Sequence, residues 1–211
     1  PLHQSTIEVK NNLAFALDES NKMPEAISLY REMLETRTEQ LGLDHPSTLV
    51  TMSNLGLALV KFGDFKKGLQ LLEKGLELRV KKLGRTHPDT LASMSNLAIN
   101  YTNSGQIKRA LPLLRDSFEA VRESLGESNS QTLVAMNNLA IALGDADKVD
   151  EAIALQEQLV KLRREHYGDT HEGTLLAINN LAKAYSDSGR FDDEALYQFE
   201  RYCLDKMGVA S

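Results

Sequence analysis

One unit of 42 residues is written five times along this chain, and no residue is gained or lost between its starts. The units open at His3, His45, His87, Asn129 and His171. A fixed period of this length marks a supersecondary element that cannot bury its apolar face alone and does so by stacking on copies of itself. The chain is therefore expected to be a single array, residues 1–211, with repeats over about 3–44, 45–86, 87–128, 129–170 and 171–211.

Each unit begins with a polar box, HQST, HPST, HPDT, NSQT or HEGT. Apolar residues at helical spacing follow, in the second unit Leu49, Met52, Leu55, Leu59 and Phe62. Steps of three and four predict an amphipathic helix, helix A. Asp44, Thr86, Ser128 and Thr170 precede the boxes and can accept from the free amides of a first turn, although the next residue could serve as the cap instead. Ser128 with Gln131 fits a capping box. Pro46 and Pro88 fall where a missing N–H is harmless. Asn21, Gly63, Gly105, Asp147 and Gly189 stand at one place in each unit, and all tolerate the left-handed conformation that ends a helix.

A second helix, B, is expected to follow, from Phe65 to Leu83 in the second unit, closed by Gly84 and by its equivalents Gly42, Gly126 and Gly168. Small residues recur on both helices: Ala14, Gly56, Ala98, Ala140 and Ala182 on A, and Ala26, Gly68, Ala110 and Ala152 on B. They let antiparallel helices approach closely. Larger residues surround them, with Tyr30, Leu72 and Leu114 at one position of B and the polar Gln156 as the exception.

With these signals in place, the chain resembles the tetratricopeptide repeat family. The 42-residue period, the phrase LG-x-x-HP-x-T and the runs MNNLAIAL and INNLAKAY, beginning at Met136 and Ile178, are similar to the kinesin light chain variety. The resemblance implies an all-α fold, a right-handed α-solenoid of five antiparallel helix pairs. Several positions depart from the pattern. Ser53 and Ser95 replace the first Asn of the pair, and the fourth box lacks His and Pro. Pro112 is expected to kink helix B of the third unit or delay its start. One extra residue in FDDEA shifts Ala195 out of register.

Composition narrows the function. The net charge of −6, with both signs interspersed, argues against nucleic acid. The lone Cys203 forms no internal disulfide and suits a reducing compartment. No apolar run approaches the ~20 residues of a membrane span, and PLHQSTIEVK has no signal-peptide core, so a cytoplasmic location is the expectation. Neither a phosphate-binding glycine loop nor a carboxylate pair in a distinctive context points to catalysis. The histidines recur on successive repeats instead of converging, which suits capping better than a metal site. No enzyme activity, cofactor or metal is expected.

The informative series is Asn12, Asn54, Asn96, Asn138 and Asn180, one on every helix A. Asn is a poor helix former, so five mid-helix copies have a stability cost. Either each bonds a neighbouring helix backbone, or the amides line the inner surface and hold a ligand's backbone, since an amide both donates and accepts. The resemblance favours the second reading, because this Asn contacts bound peptide in kinesin light chains and related repeats. Leu57, Ile99 and Ile141 flank it as side-chain pockets. Lys10, Lys61 and Lys183 are the only basic residues found on the A helices, each at a different helical position, so the kinesin light chain's preference for acidic peptides does not transfer. The expected function is a protein-interaction scaffold that binds a partner peptide or protein segment in a groove lined by the A helices. The alternative is a regulatory or assembly segment of a larger signalling protein that docks on its own chain or self-associates, for example through an apolar C-terminal helix bearing Tyr197, Phe199, Tyr202 and Met207.

Overall fold

The computed structural model describes the backbone of residues 4–189 and the side chains of residues 9–189. Among them every regular element is a helix: α1 Gln4–Glu19, α2 Met23–Leu41, α3 Pro46–Lys61, α4 Phe65–Leu83, α5 Pro88–Asn103, α6 Ile107–Leu125, α7 Ser130–Asp145, α8 Val149–Tyr167 and α9 Glu172–Asp187. Odd-numbered helices are the A helices and even-numbered ones the B helices. The FDDEA shift, Cys203 and the apolar residues expected at the C-terminal end lie outside the described residues.

The chain divides into two compact units between Gly105 and Gln106. In the first, α1 to α5 pack each against the next in order. Its core includes Ala14, Met23, Ala26, Ile27, Tyr30, Met33, Leu55, Ala58 and Leu59. In the second, α7 packs between α6 and α8 and α9 lies on α8, with Leu133, Met136, Leu143 and Leu159 fully buried.

Local chemistry sets the helix ends. Gly63, Gly105 and Gly189 have positive φ, and so do Asn21 and Asp147, the types placed there to tolerate it. The N-caps of the A helices lie one residue after the box-preceding polar residues. His45, His87 and His171 accept through Nδ1 from the amide two residues on, at 3.2, 3.2 and 3.1 Å. Asn129 does the same through Oδ1 at 2.9 Å, so the Ser128–Gln131 capping box is not the arrangement adopted. Imidazole Nδ1 stands as many bonds from the backbone as the amide Oδ1 of Asn. That is why His and Asn interchange at this position.

Pro112 does not delay α6, which starts at Ile107 in the same phase as α4 and α8 and runs continuously to Leu125. The proline is on the exposed side, where the Lys108 carbonyl that loses its partner can meet water. Between α3 and α4 the small-residue contact is close. A Cβ built on Gly68 would lie 2.6 Å from the Gly56 carbonyl oxygen.

Candidate functional site: the exposed faces of the A helices

Each A helix buries one side and leaves a stripe on the other. On α3 the buried side is Thr48, Leu49, Thr51, Met52, Leu55, Gly56, Ala58 and Leu59. The opposite stripe is Val50, Asn54, Leu57 and Lys61, at steps of four, three and four. The equivalent stripe on α5 is Ala92, Asn96, Ile99 and Asn103; on α7, Val134, Asn138, Ile141 and Asp145; on α9, Leu176, Asn180, Lys183 and Asp187. The apolar members stay uncovered. Val50, Ile99, Val134, Ile141 and Leu176 are 46–57 % exposed, and Phe15 on α1 is 60 % exposed. Leu57 is half-buried.

Asn12 and Asn96 are exposed, and Asn54, Asn138 and Asn180 are half-buried. Asn180 donates from Nδ2 to Asn137 Oδ1 at 3.0 Å, a side-chain bond. Among the described residues, the amides of Asn12, Asn54, Asn96 and Asn138 have no hydrogen-bond partner. The backbone-bonding explanation of the series therefore fails in both units.

Recesses among the described residues interrupt the exposed faces in each unit. In the first unit Asn11 and Asn12 of α1, Arg37 of α2, and Ser47 and Val50 of α3 line an open hollow. Arg37 bonds the Ser47 carbonyl at 3.0 Å and the Thr51 hydroxyl. In the second unit a recess of about 230 Å³ lies between α7 and α9, with α8 as its floor. It brings together Ile141 and Asn180 from the expected site. Asn54, Leu57, Asn96, Ile99 and Asn138 line neither recess. Sequence reasoning did not single out Gly144 or Val149, which also line the second recess, and treated Gln156 only as an exception to the core.

Of the two lysines on these stripes, Lys61 and Lys183, the first has a carboxylate partner. Lys10 pairs with Glu32, and Lys61 pairs with Asp18. Hydrogen bonding and attraction to Asp18, with Glu19 nearby, hold the Lys61 ammonium above its ordinary pKa, working against desolvation. Elsewhere, burial lowers the Arg79 guanidinium; this side chain of α4 donates to Ser53 Oγ at 3.1 Å. Among the described residues no group of His, Cys, Asp and Glu is placed to hold a metal, and no helix is long and apolar enough to cross a membrane.

This arrangement of paired helices with uncovered A faces has known relatives. The family model for the tetratricopeptide repeat matches residues 5–79, 58–123 and 131–203. The chain belongs to the tetratricopeptide repeat family, whose members generally act as protein-interaction scaffolds. Among solved structures it is similar to a Podosopora anserina protein assigned as a kinesin light chain with nearly identical TPR-like repeats. That match has 26 % identity over 100 % of both chains and a TM-score of 0.85. It also shares its fold with BtubC (BKLC) from P. vanneervenii, at 21 % identity over 97 % of this chain and 81 % of that one, TM-score 0.77. No curated protein matches the sequence.

Proposed function

We propose that this protein is a scaffold that holds an extended segment of a partner protein on the exposed A-helix faces within a unit, with Asn amides on the segment's backbone and apolar side chains in the gaps between them. The observation that carries this reading is the set of unpartnered amides at Asn12, Asn54, Asn96 and Asn138, each beside an uncovered apolar residue. A mid-helix Asn without a protein partner is locally unfavourable, and an uncovered row of Val, Ile and Phe is a recognition surface. A backbone amide of the ligand offers one donor and one acceptor, which matches a side-chain amide without selecting the ligand's side chains.

A basic clamp for an acidic group is a poor description of these faces, because Lys61 already has a carboxylate partner and the other lysine of the stripes, Lys183, stands at a different helical position. The test is selection of peptides from a random library on the whole chain, followed by affinity measurement. Asn54→Ala with Asn96→Ala is expected to weaken the selected peptides about tenfold, or ~1.4 kcal/mol. Ile99→Asp is expected to abolish binding, and both variants are expected to keep full helicity by circular dichroism. Peptides that ignore both variants would place the binding surface elsewhere. A mass that rises with concentration in sedimentation, without peptide binding, would favour self-association instead.

A further inference from the structure

The recess of the second unit contains an acceptor that nothing among the described residues satisfies. Gln156 is 2 % exposed, lines the recess, and its Oε1 has no hydrogen-bond partner. The amide is oriented by its neighbours. Asn137 Oδ1 accepts from both Asn180 Nδ2, at 3.0 Å, and Gln156 Nε2, at 3.4 Å. With both nitrogens drawn to one oxygen, the oxygens of Gln156 and Asn180 are left uncommitted. A buried acceptor without a partner calls for a donor from outside the chain.

The rest of the lining specifies that donor further. Ala140, Ile141, Val149, Ala152 and Ala184 make apolar walls. Asp145 and Asp187 are the last residues of α7 and α9, so two carboxylates sit where two helix C-termini add partial negative charge. Neither carboxylate has an ion-pair partner among the described residues, and Lys183 is the only basic side chain of the lining. The matching place in the first unit shows how the same geometry is closed internally. There Asp18 stands where Gly144 does and Lys61 where Asp187 does, and the two form an ion pair. Between α3 and α5, Val60 and Leu72 take the positions of Gly144 and Gln156. Among the described residues, only the second unit combines a glycine, a buried amide and unpaired carboxylates.

We infer that the recess lined by Gly144, Gln156, Asn180, Asp145 and Asp187 receives a basic side chain, arginine or lysine, of the bound partner segment. The aliphatic stem lies along the apolar walls while the N–H donors meet Gln156 Oε1 and the two carboxylates. This rests on the peptide-binding reading above and adds one anchor to it.

The probes are N-acetyl methylamides of arginine, lysine, norleucine and glutamate, titrated into the labelled whole chain and followed by NMR. Arginine or lysine is expected to shift the Gln156 side-chain amide and the Ile141 methyls saturably. Norleucine and glutamate are expected to bind at least fivefold more weakly. Asp145→Asn with Asp187→Asn is expected to reduce the basic probes' affinity by about fivefold, on the scale of partly exposed ion pairs. Gly144→Val, a residue repeat two already carries at this position, is expected to remove binding with the fold intact. Norleucine or glutamate binding as well as arginine, basic probes indifferent to Gly144→Val, or no shift with any probe would each overturn the inference. If library peptides depend on Asn54 and Asn96 while basic probes leave Gln156 unmoved, the anchor fails and the scaffold reading stands. If basic probes bind here but no peptide is selected, the scaffold reading fails, and the anchor with it.

Discussion

Replacing Gly68 with Ala sets the repeat pattern against the local geometry. Repeats one, three and four carry Ala on both helices at this contact, as Ala14 with Ala26, Ala98 with Ala110 and Ala140 with Ala152. By that pattern, and by helix propensity, Gly68→Ala stabilises α4 by ~1 kcal/mol. The structure reverses the sign. The new Cβ would lie 2.6 Å from the Gly56 carbonyl oxygen, 2.6 Å from Val60 Cγ2 and 2.9 Å from the Val60 nitrogen. Two of the three obstacles are backbone, so no rotamer change relieves them, and α3 and α4 must move apart. Overpacking of this kind costs about 1–3 kcal/mol, and the backbone obstacles put it in the upper part of that range, for a net loss of about 1–2 kcal/mol after the propensity gain. Urea denaturation followed by circular dichroism measures the loss. Hydrogen exchange on the amides of α3 and α4 localises it, because repeat arrays open in parts. Gly144→Ala is the control: the same substitution inside α7, where a Cβ would meet nothing within 4 Å, is expected to stabilise by ~0.5–1 kcal/mol. A Gly68→Ala protein as stable as the parent, or more so, would refute the close-approach argument.

Gly63→Ala is expected to cost ~1 kcal/mol in the same denaturation experiment, and for a different reason: its φ is +96° and nothing crowds a Cβ there, so the penalty is conformational alone. Asp64 caps α4 by accepting from the Lys67 amide at 3.2 Å and pairs with the Lys67 ammonium; the side-chain bond to Lys67, then the backbone bond, hold its carboxyl below the usual 3.8. A depressed folded-state pKa gives stability that is present above the unfolded value and lost as pH falls through the folded one, so Asp64→Asn is expected to flatten the acid limb below about pH 4 in a melting-temperature profile. Asn54→Ala with Asn96→Ala is expected to raise stability by ~0.5 kcal/mol or more, because neither amide has a partner to lose and Ala is the better helix former. A fall in melting temperature would mean that these amides hold the fold together.

The periodic part of this molecule was legible in its sequence because period, turn glycines and small-residue contacts are each fixed by local rules. The bounds of α4, Phe65–Leu83, follow from apolar spacing and a terminal Gly84. The positive φ of Asn21 and Asp147 follows from standing where glycine stands in other repeats. The cap position depended on finer detail, whether the Asp44 carboxylate or the His45 ring reaches the first free amide, and residue types alone could not choose. The delayed start expected of Pro112 does not occur, because the cost of the proline depends on which side of α6 it occupies, a matter of phase against neighbouring helices.

The candidate site divides the same way. The Asn stripe could be read from its 42-residue period, but whether those amides were already bonded could not, since a partner on another helix leaves no mark in the local sequence. The recess of the second unit was the least legible feature, although its residues carry a signal. Gly144 and Gln156 break positions that Val60 and Leu72 fill in the second repeat, and Asp187 reverses the charge of Lys61. In a stacked array the core positions must agree for neighbours to pack. A repeat that exchanges a filling side chain for glycine, and a buried leucine for an amide, therefore loses packing at that point. The space and the unmet acceptor this leaves are what a ligand can use, so recognition chemistry in such a chain is best sought where successive repeats disagree.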